Sequence, residues 1–488
     1  MTDTHTITVA SVAVDTRHWI GGERVASAGT FTDVSPIDGA ALGEISRGTA
    51  SEAAAVVAAA KAAFPAWAAT PPAERARLLH AIADGVEKRL EELAIVETTD
   101  NGALLRSHRR GVMPRVAHNF RFFADRLLQL GHEEFETRGH TNHVSWDPAG
   151  PCVLITPWNA PLMLATWKVA PALAAGNTVI LKPAEWSPLT ASLLADIAAE
   201  AGLPAGVLNV VQGLGSEIGD VLTSHPDVRR ISFTGSVPTA RRISASAAAN
   251  LTPLSLELGG KSPLLVFADA DLDLAVDLAV EQYDNAGQVC LAGTRLLVEE
   301  SIAEEFTRRF TEKASRLVQG DPRDEATDIG PNIHPRQLEK IDGFVRRAVA
   351  AGARAVIGGH RKDDRFYAPT LLTDVAQDSE IVQEEVFGPV LTLQTFGTEE
   401  EAVRLANDTR FGLAATLATG DHQRAERVTA RLVAGTVWVN CFFVRDLQAP
   451  FGGSRHSGVG REGGDWSFDF YCDLKNTVTA PEGWKDHG

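Results

Sequence analysis

The sequence predicts an α/β protein of two doubly wound domains, and three features predict it. A chain of 488 residues is too long for one hydrophobic core, so two or three domains are expected. From about residue 151 short apolar strands alternate with helical runs, and a second alternation begins at Leu264. Such alternation builds a parallel sheet covered on both faces by helices.

The elements follow in order. Thr49-Ala50-Ser51-Glu52 has capping-box spacing and opens an Ala-rich helix expected to end near Pro65. Val153–Ile155 and Thr178–Leu181 read as strands. Ser187-Pro188 offers a cap and an N1 proline to a helix running to Glu200, closed by Gly202 and Pro204. Val207–Val211 is a strand, Glu217–Leu222 a short helix, Arg230–Phe233 a strand and Thr239–Ala248 a helix. In the second alternation Leu264–Phe267, Arg295–Val298, Val390–Phe396, Leu413–Ala418 and Thr436–Asn440 are strands. Helices are expected near Ile302–Leu317, Gln337–Ala351 and Glu399–Asn407. The two domains therefore meet near Leu254–Lys261. Ligands of such folds bind at strand carboxyl ends and between domains, so chemistry is sought there.

Composition narrows the partners. Hydrophobic residues make up 44% and charged residues 22%, ordinary values for a globular chain. A net charge of −17 argues against nucleic acid and anionic membranes, which need basic surfaces. An anionic substrate would then need local positive charge at its site. Cys152, Cys290, Cys441 and Cys472 are spaced like neither a disulfide framework nor a zinc site, and no metal is expected. Met1–Asp15 lacks the basic start and apolar block of a signal peptide, and no apolar run approaches the roughly 20 residues of a membrane span. The expectation is a soluble cytoplasmic protein.

Glycine-bearing turns stand at the strand ends. Gly213-Leu214-Gly215-Ser216-Glu217-Ile218-Gly219 is a dinucleotide fingerprint with one residue too many, equally readable as a tight strand-to-helix turn. Phe233-Thr234-Gly235-Ser236 ends a strand and opens a helix, where hydroxyls and amides can hold a phosphate. Glu257-Leu258-Gly259-Gly260-Lys261 and Gly287-Gln288-Val289-Cys290 hold a carboxylate and a thiol. Each alone would be a solvated turn or an inert buried cysteine. Cys152, Cys441 and Cys472 are assigned to the inert class.

Together with Pro157-Trp158-Asn159, Lys182-Pro183-Ala184-Glu185, Glu385-Val386-Phe387-Gly388-Pro389 and Pro450-Phe451-Gly452-Gly453, these motifs fall in an order that resembles the aldehyde dehydrogenase superfamily from about Trp19 to Val478. The resemblance implies a Rossmann-like cofactor domain (1–131 and 148–257), an α/β catalytic domain (258–456) and an oligomerisation element (132–147 and 470–482). The last would comprise a β hairpin near His132–Asp147 and a tail strand near Leu474–Thr479. Alternation in Asn142-His143-Val144-Ser145-Trp146 suits an edge strand awaiting a second copy, hence a dimer or tetramer.

The resemblance also implies the chemistry. Cys290 adds to an aldehyde, with its own N–H and the Asn159 amide stabilising the oxyanion. Hydride leaves for NAD, and water activated by Glu257 hydrolyses the thioester. Lys168 would assist proton movement, or else be an exposed helix lysine. Lys182 and Glu185 would hold the adenosine ribose, where a carboxylate repels a 2′-phosphate and favours NAD. Ser236 would meet the pyrophosphate and Glu385 and Phe387 the nicotinamide ribose and ring. Ile155, Thr156, Trp158, Gly215, Phe233, Gly235 and Leu258 complete the implied cofactor set.

Two departures stand out. Ala240 replaces a second family glycine and would shift the cofactor phosphates slightly; and the Glu257–Cys290 spacing is one residue short, the gap placed within Gln282–Gly287. Pro114-Arg115-Val116-Ala117-His118-Asn119-Phe120 and Val444-Arg445-Asp446-Leu447 resemble the branch acting on hydroxymuconic, carboxymethyl-hydroxymuconic and aminomuconic semialdehydes in aromatic catabolism. There Arg115 and Arg445 would grip a substrate carboxylate; the alternative is a pair of structural salt bridges. The rival functions are a general aldehyde dehydrogenase for neutral aldehydes, a non-redox cysteine hydrolase, a non-catalytic protein on a retired enzyme fold, and a CoA-acylating enzyme, which typically lacks the base Glu257 supplies.

Overall fold

The computed structural model describes residues 5–131 and 133–484. Five parallel strands form the centre of an eight-stranded sheet, in the spatial order Leu254–Leu258, Arg230–Gly235, Cys152–Ile155, Val179–Lys182 and Leu208–Val210. Helices Pro72–Lys88, Met113–Leu127, Pro161–Ala174 and Leu189–Glu200 bury one face, and Ala50–Ala68, Gly215–Thr223 and Val237–Ala247 the other. The seven-stranded second sheet has Pro263–Val266 and Arg295–Glu299 near its middle, and an antiparallel edge strand, Arg354–Ile357.

The crossing between sheets positions the chemistry. Leu254–Leu258 ends at one side of the first sheet, and Gly259–Ser262 carries the chain directly into the centre of the second. The return strand Gly458–Val459 then pairs beside it, with Gly458 opposite Glu257. Glu257 is thus held between outgoing and returning chain.

Some boundaries differ from expectation. The capping box at Thr49 and Glu52 forms, but the helix continues through Pro65 to Ala68. The ring deprives only the carbonyl of Lys61, on an exposed face where water can bond it, while buried Trp67 anchors the last turn. Ser187 does not cap the next helix: its hydroxyl is buried without a partner among the described residues, and the Leu189 N–H is taken by Asp100 Oδ2 at 3.0 Å. A long-range carboxylate has replaced the local cap. The sequence reading also passed over the helices Pro72–Lys88, Leu90–Asn101 and Met113–Leu127 and the π-helical turn His108–Val112.

A third sheet joins Glu133–Thr137, His140–Pro148 and Cys472–Thr479, all antiparallel. His132, where the hairpin was expected to start, lies outside the described residues. The Cys472–Thr479 strand is exposed beyond its first residue, and among the described residues one of its edges is unpaired, with Leu474 and Val478 open to solvent. Among the described residues no helix is long and apolar enough to cross a membrane.

Candidate active site

The turn before Cys290 is unusual in its backbone. A 3-10 segment follows helix Leu272–Val280 and leaves helical geometry at Asp284, and Asn285, Ala286 and Gly287 then run left-handed with φ of 49°, 56° and 70°. Two of these carry a Cβ, a costly arrangement that persists only where surroundings fix it. Here Asn285 Nδ2 donates to the Asn159 carbonyl at 3.2 Å, and Asn159 Nδ2 donates to the Gln288 carbonyl at 2.9 Å. The two asparagines clasp the loop bearing the thiol to the arm bearing the amide. Asn159 Nδ2 keeps a second hydrogen for a ligand.

Two cavities meet at this point. One of about 180 Å³ is lined by Trp158, Ser236, Glu257, Leu258, Glu385 and Phe387; the other, of about 800 Å³, by Arg106, Arg110, Arg115 and His118. Cys290, Asn159, Leu164, Trp167 and Arg445 line both. The thiol therefore stands in a wall between two chambers.

Electrostatics at the wall set the protonation states. Burial, with the charges of Glu385 and Glu257 reinforcing it and Arg445 opposing it, pushes the Cys290 thiol up to about 12. Glu257 is 4% exposed, and among the described residues neither carboxylate oxygen has a hydrogen-bond partner. Burial and the neighbouring Glu462 hold it well above the ordinary carboxylate range, against Lys168, Arg445 and Arg461. Glycine is required alongside, since a Cβ on Gly452 would come within 2.8 Å of Glu257 Oε1. A protonated thiol beside a carboxyl of raised proton affinity is a pair suited to exchanging a proton.

Lys168 is fully buried, which overturns its reading as an exposed helix lysine. Its Nζ lies 2.6 Å from Glu462 Oε1 and 2.8 Å from Ser232 Oγ. Glu462 was missed from sequence: a lone carboxylate between Arg461 and Gly463 reads as a solvated turn. Yet it is 4% exposed, lines the smaller cavity and keeps one oxygen without a hydrogen-bond partner among the described residues.

Arg115 and Arg445 form no ion pair among the described residues, so they are not structural salt bridges. The Arg445 guanidinium sits 3.9 Å over the Phe451 ring and 5.3 Å over Trp167, and Arg115 lies 5.6 Å over Trp167. Arg115 Nη1 reaches the Arg445 carbonyl at 3.5 Å. Burial and the charge of Arg445 push Arg115 down to about 10, so it stays cationic at neutral pH. Two aromatic-stacked guanidiniums face the larger cavity, and neither is ion-paired among the described residues, although the carboxyl group of Asp284 also lines that cavity.

The implied cofactor residues divide. Trp158, Gly235, Ser236, Leu258, Glu385 and Phe387 share the smaller cavity with Cys290. Ser236 caps helix Val237–Ala247 by accepting from Thr239 N–H, and Ala240 is buried in the apolar cluster beneath. Phe233 lies under Gly235, where a Cβ would strike its ring at 2.5 Å. Glu385 Oε1 accepts from Gly260 N–H at 3.1 Å, and the Phe387 ring meets Trp158 edge-on at 5.2 Å.

Ile155 and Thr156 sit at the end of the central strand, with Thr156 N–H bonded to the Lys182 carbonyl at 3.1 Å. Lys182, Glu185 and Gly215 lie outside that cavity. Lys182 Nζ is buried 3.5 Å from Glu185 Oε2, and a Cβ on Gly215 would lie 3.9 Å from it. Glu185 opens instead onto a separate pocket with Trp186 and Leu214. Among the described residues no group of three or more His, Cys, Asp or Glu side chains could hold a metal ion.

Residues 24–477 match the model of the aldehyde dehydrogenase family. A 2-aminomuconic semialdehyde dehydrogenase of Danio rerio is 42% identical over 478 residues, covering 94% of this chain and 97% of that protein. A 2-hydroxymuconic semialdehyde dehydrogenase of Pseudomonas sp. (strain CF600) is 44% identical over 479 residues, covering 94% and 98%. An indole-3-acetaldehyde dehydrogenase solved with NAD+ superposes with a TM-score of 0.94 at 39% identity, covering 96% and 97%.

Proposed function

The chain belongs to the aldehyde dehydrogenase family, and we propose that it oxidises a carboxylate-bearing semialdehyde of the hydroxymuconic type, in aromatic catabolism, to the corresponding acid with NAD. The observation that carries the substrate class is the pair of unpaired guanidiniums, Arg115 and Arg445, in the larger cavity that Cys290 lines. A planar guanidinium can hold both oxygens of a carboxylate and stays charged at any working pH. The same cavity would repel a cationic aldehyde.

The smaller cavity suits the cofactor. Ser236 at a helix N-terminus can meet a pyrophosphate, the Trp158–Phe387 corner a nicotinamide ring and Glu385 its ribose. Lys182 and Glu185 would hold the other ribose, and Ile155, Thr156, Gly215, Phe233, Gly235 and Leu258 the surrounding surface. When bound, NAD would supply the acceptor for the hydride that the substrate carbon must lose in becoming a thioester.

The protein's part begins with the Cys290 proton. Glu257, of raised proton affinity, takes it as the sulfur adds to the aldehyde carbon. The carbonyl oxygen becomes an oxyanion held by the Cys290 N–H and the free hydrogen on Asn159 Nδ2. Once the thioester stands, Glu257 removes a proton from water, whose oxygen displaces the sulfur and yields the acid. We assign the onward passage of Glu257's proton to Glu462, which lines the same cavity and pairs with Lys168.

We assign residues 1–131 and 148–257 to the NAD-binding domain, 258–456 to the catalytic domain, and 132–147 with 470–482 to an element that pairs with a second copy.

A panel of semialdehydes with and without a carboxylate, read by NADH absorbance, tests this function. Carboxylated members should dominate, and Cys290→Ala should abolish every signal while retaining NAD. Turnover without NAD would favour a hydrolase.

A further inference from the structure

We propose that Glu97 is a positioning residue that holds the oxyanion arm in place by capping the helix behind it. The proposal rests on Asn159 acting as the oxyanion donor.

Helix Pro161–Ala174 starts badly by itself. Its N-cap, Ala160, has no side chain able to accept a hydrogen bond, and Pro161 has no N–H. The first free donor is Leu162 N–H, and Glu97 Oε2 accepts it at 3.1 Å from the end of another helix, Leu90–Asn101. Asn159 stands just before this capped turn, with nothing between but Ala160 and Pro161. Whatever fixes the first turn also limits where the Asn159 amide can point.

The same oxygen accepts the Thr190 hydroxyl at 2.8 Å, in the first turn of the helix that follows Lys182 and Glu185. The other oxygen has no hydrogen-bond partner among the described residues and lies 3.8 Å from His108 Nε2. His108 lines the larger cavity, and its Nδ1 is 2.7 Å from Thr98 Oγ1. One carboxyl group therefore touches the oxyanion helix, the helix after the proposed ribose contacts, and the wall of the substrate chamber. Glu97 itself is wholly buried. Burying a carboxyl group is costly, and an apolar side chain would fill the space without that cost. What an apolar residue could not supply is the cap.

The test measures NADH formation in a single turnover, with enzyme in excess over the best aldehyde of the panel. Glu97→Ala should slow this step at least tenfold while leaving NAD affinity within about threefold. Glu97→Gln, whose amide oxygen can still accept from Leu162, should restore the rate to within about threefold. In an Asn159→Ala background, Glu97→Ala should cause little further loss, because the group it positions is gone. If Glu97→Ala does not fold, Glu97→Asp, with its carboxyl group withdrawn from Leu162, should show the same loss. A lowered melting temperature with an unchanged single-turnover rate would overturn the proposal. So would losses that multiply independently in the double variant. An Asn159→Ala enzyme of normal rate would instead refute the oxyanion role itself.

Discussion

Replacing Arg445 by alanine should cost a carboxylated semialdehyde far more than a neutral aldehyde. A charge-assisted hydrogen bond contributes roughly 1.5–3 kcal/mol. At about 1.4 kcal/mol per tenfold, that is about ten- to a hundredfold in kcat/KM. The structure shapes this in two ways. Arg445 is stacked at 3.9 Å on Phe451 and forms no ion pair among the described residues, although the charges of Glu257 and Glu462 also act on it. It also opposes the upward shift of the Cys290 thiol, so its loss should slow every aldehyde somewhat. The informative quantity is therefore the ratio of kcat/KM for a muconate-type semialdehyde to that for benzaldehyde, measured in the same preparation. That ratio should fall about ten- to a hundredfold in Arg445→Ala and recover partly in Arg445→Lys, which keeps charge but loses the planar fork. Equal losses on both aldehydes would refute carboxylate recognition by this residue.

Other consequences are separately measurable. Glu257→Gln should transfer one hydride per site and then stall, giving an NADH burst and an acyl adduct on Cys290 by intact mass; near-normal turnover would remove Glu257 as the deacylating base. Because Glu257 must be ionised to act and is held above the ordinary range, activity should rise with pH through that raised value. Glu462→Gln removes a charge that raises it and leaves Lys168, which lowers it, so the acid limb of kcat/KM should move to lower pH. An unmoved or upward-shifted limb would contradict that coupling. Glu185→Gln should narrow the preference for NAD over NADP, and comparable kcat/KM with both in the unmodified enzyme would count against a ribose-binding carboxylate.

What could be read from sequence was whatever is encoded locally. The parallel strands were legible as apolar runs closed by glycine turns, and Cys290 and Glu257 stood inside ordered motifs. The failures share a cause in long-range partners. Ser187 looked like a cap because no local pattern reveals Asp100, distant in the chain, at the same helix end. Glu462 could not be distinguished from a surface carboxylate until Lys168 and Ser232 were beside it. For Arg115 and Arg445 the question was pairing or its absence, and absence of a partner is a property of the folded neighbourhood alone. The break at Asp284 fell in the stretch where the short Glu257–Cys290 spacing had been placed, but three successive left-handed residues have no sequence signature when one is alanine.

The nucleophile's place in a partition has a consequence for how such a protein can change. Residues proposed to choose the aldehyde, Arg115 among them, line one side, and those proposed to hold the cofactor line the other. Substitutions in the larger chamber can retune which molecule is recognised without disturbing the redox half. The exceptions are the few side chains that face both ways, Trp167 and Arg445 above all. A change at either is felt on both sides at once, so diversification of substrate should be freest at Arg106, Arg110 and His118 and most constrained at the partition.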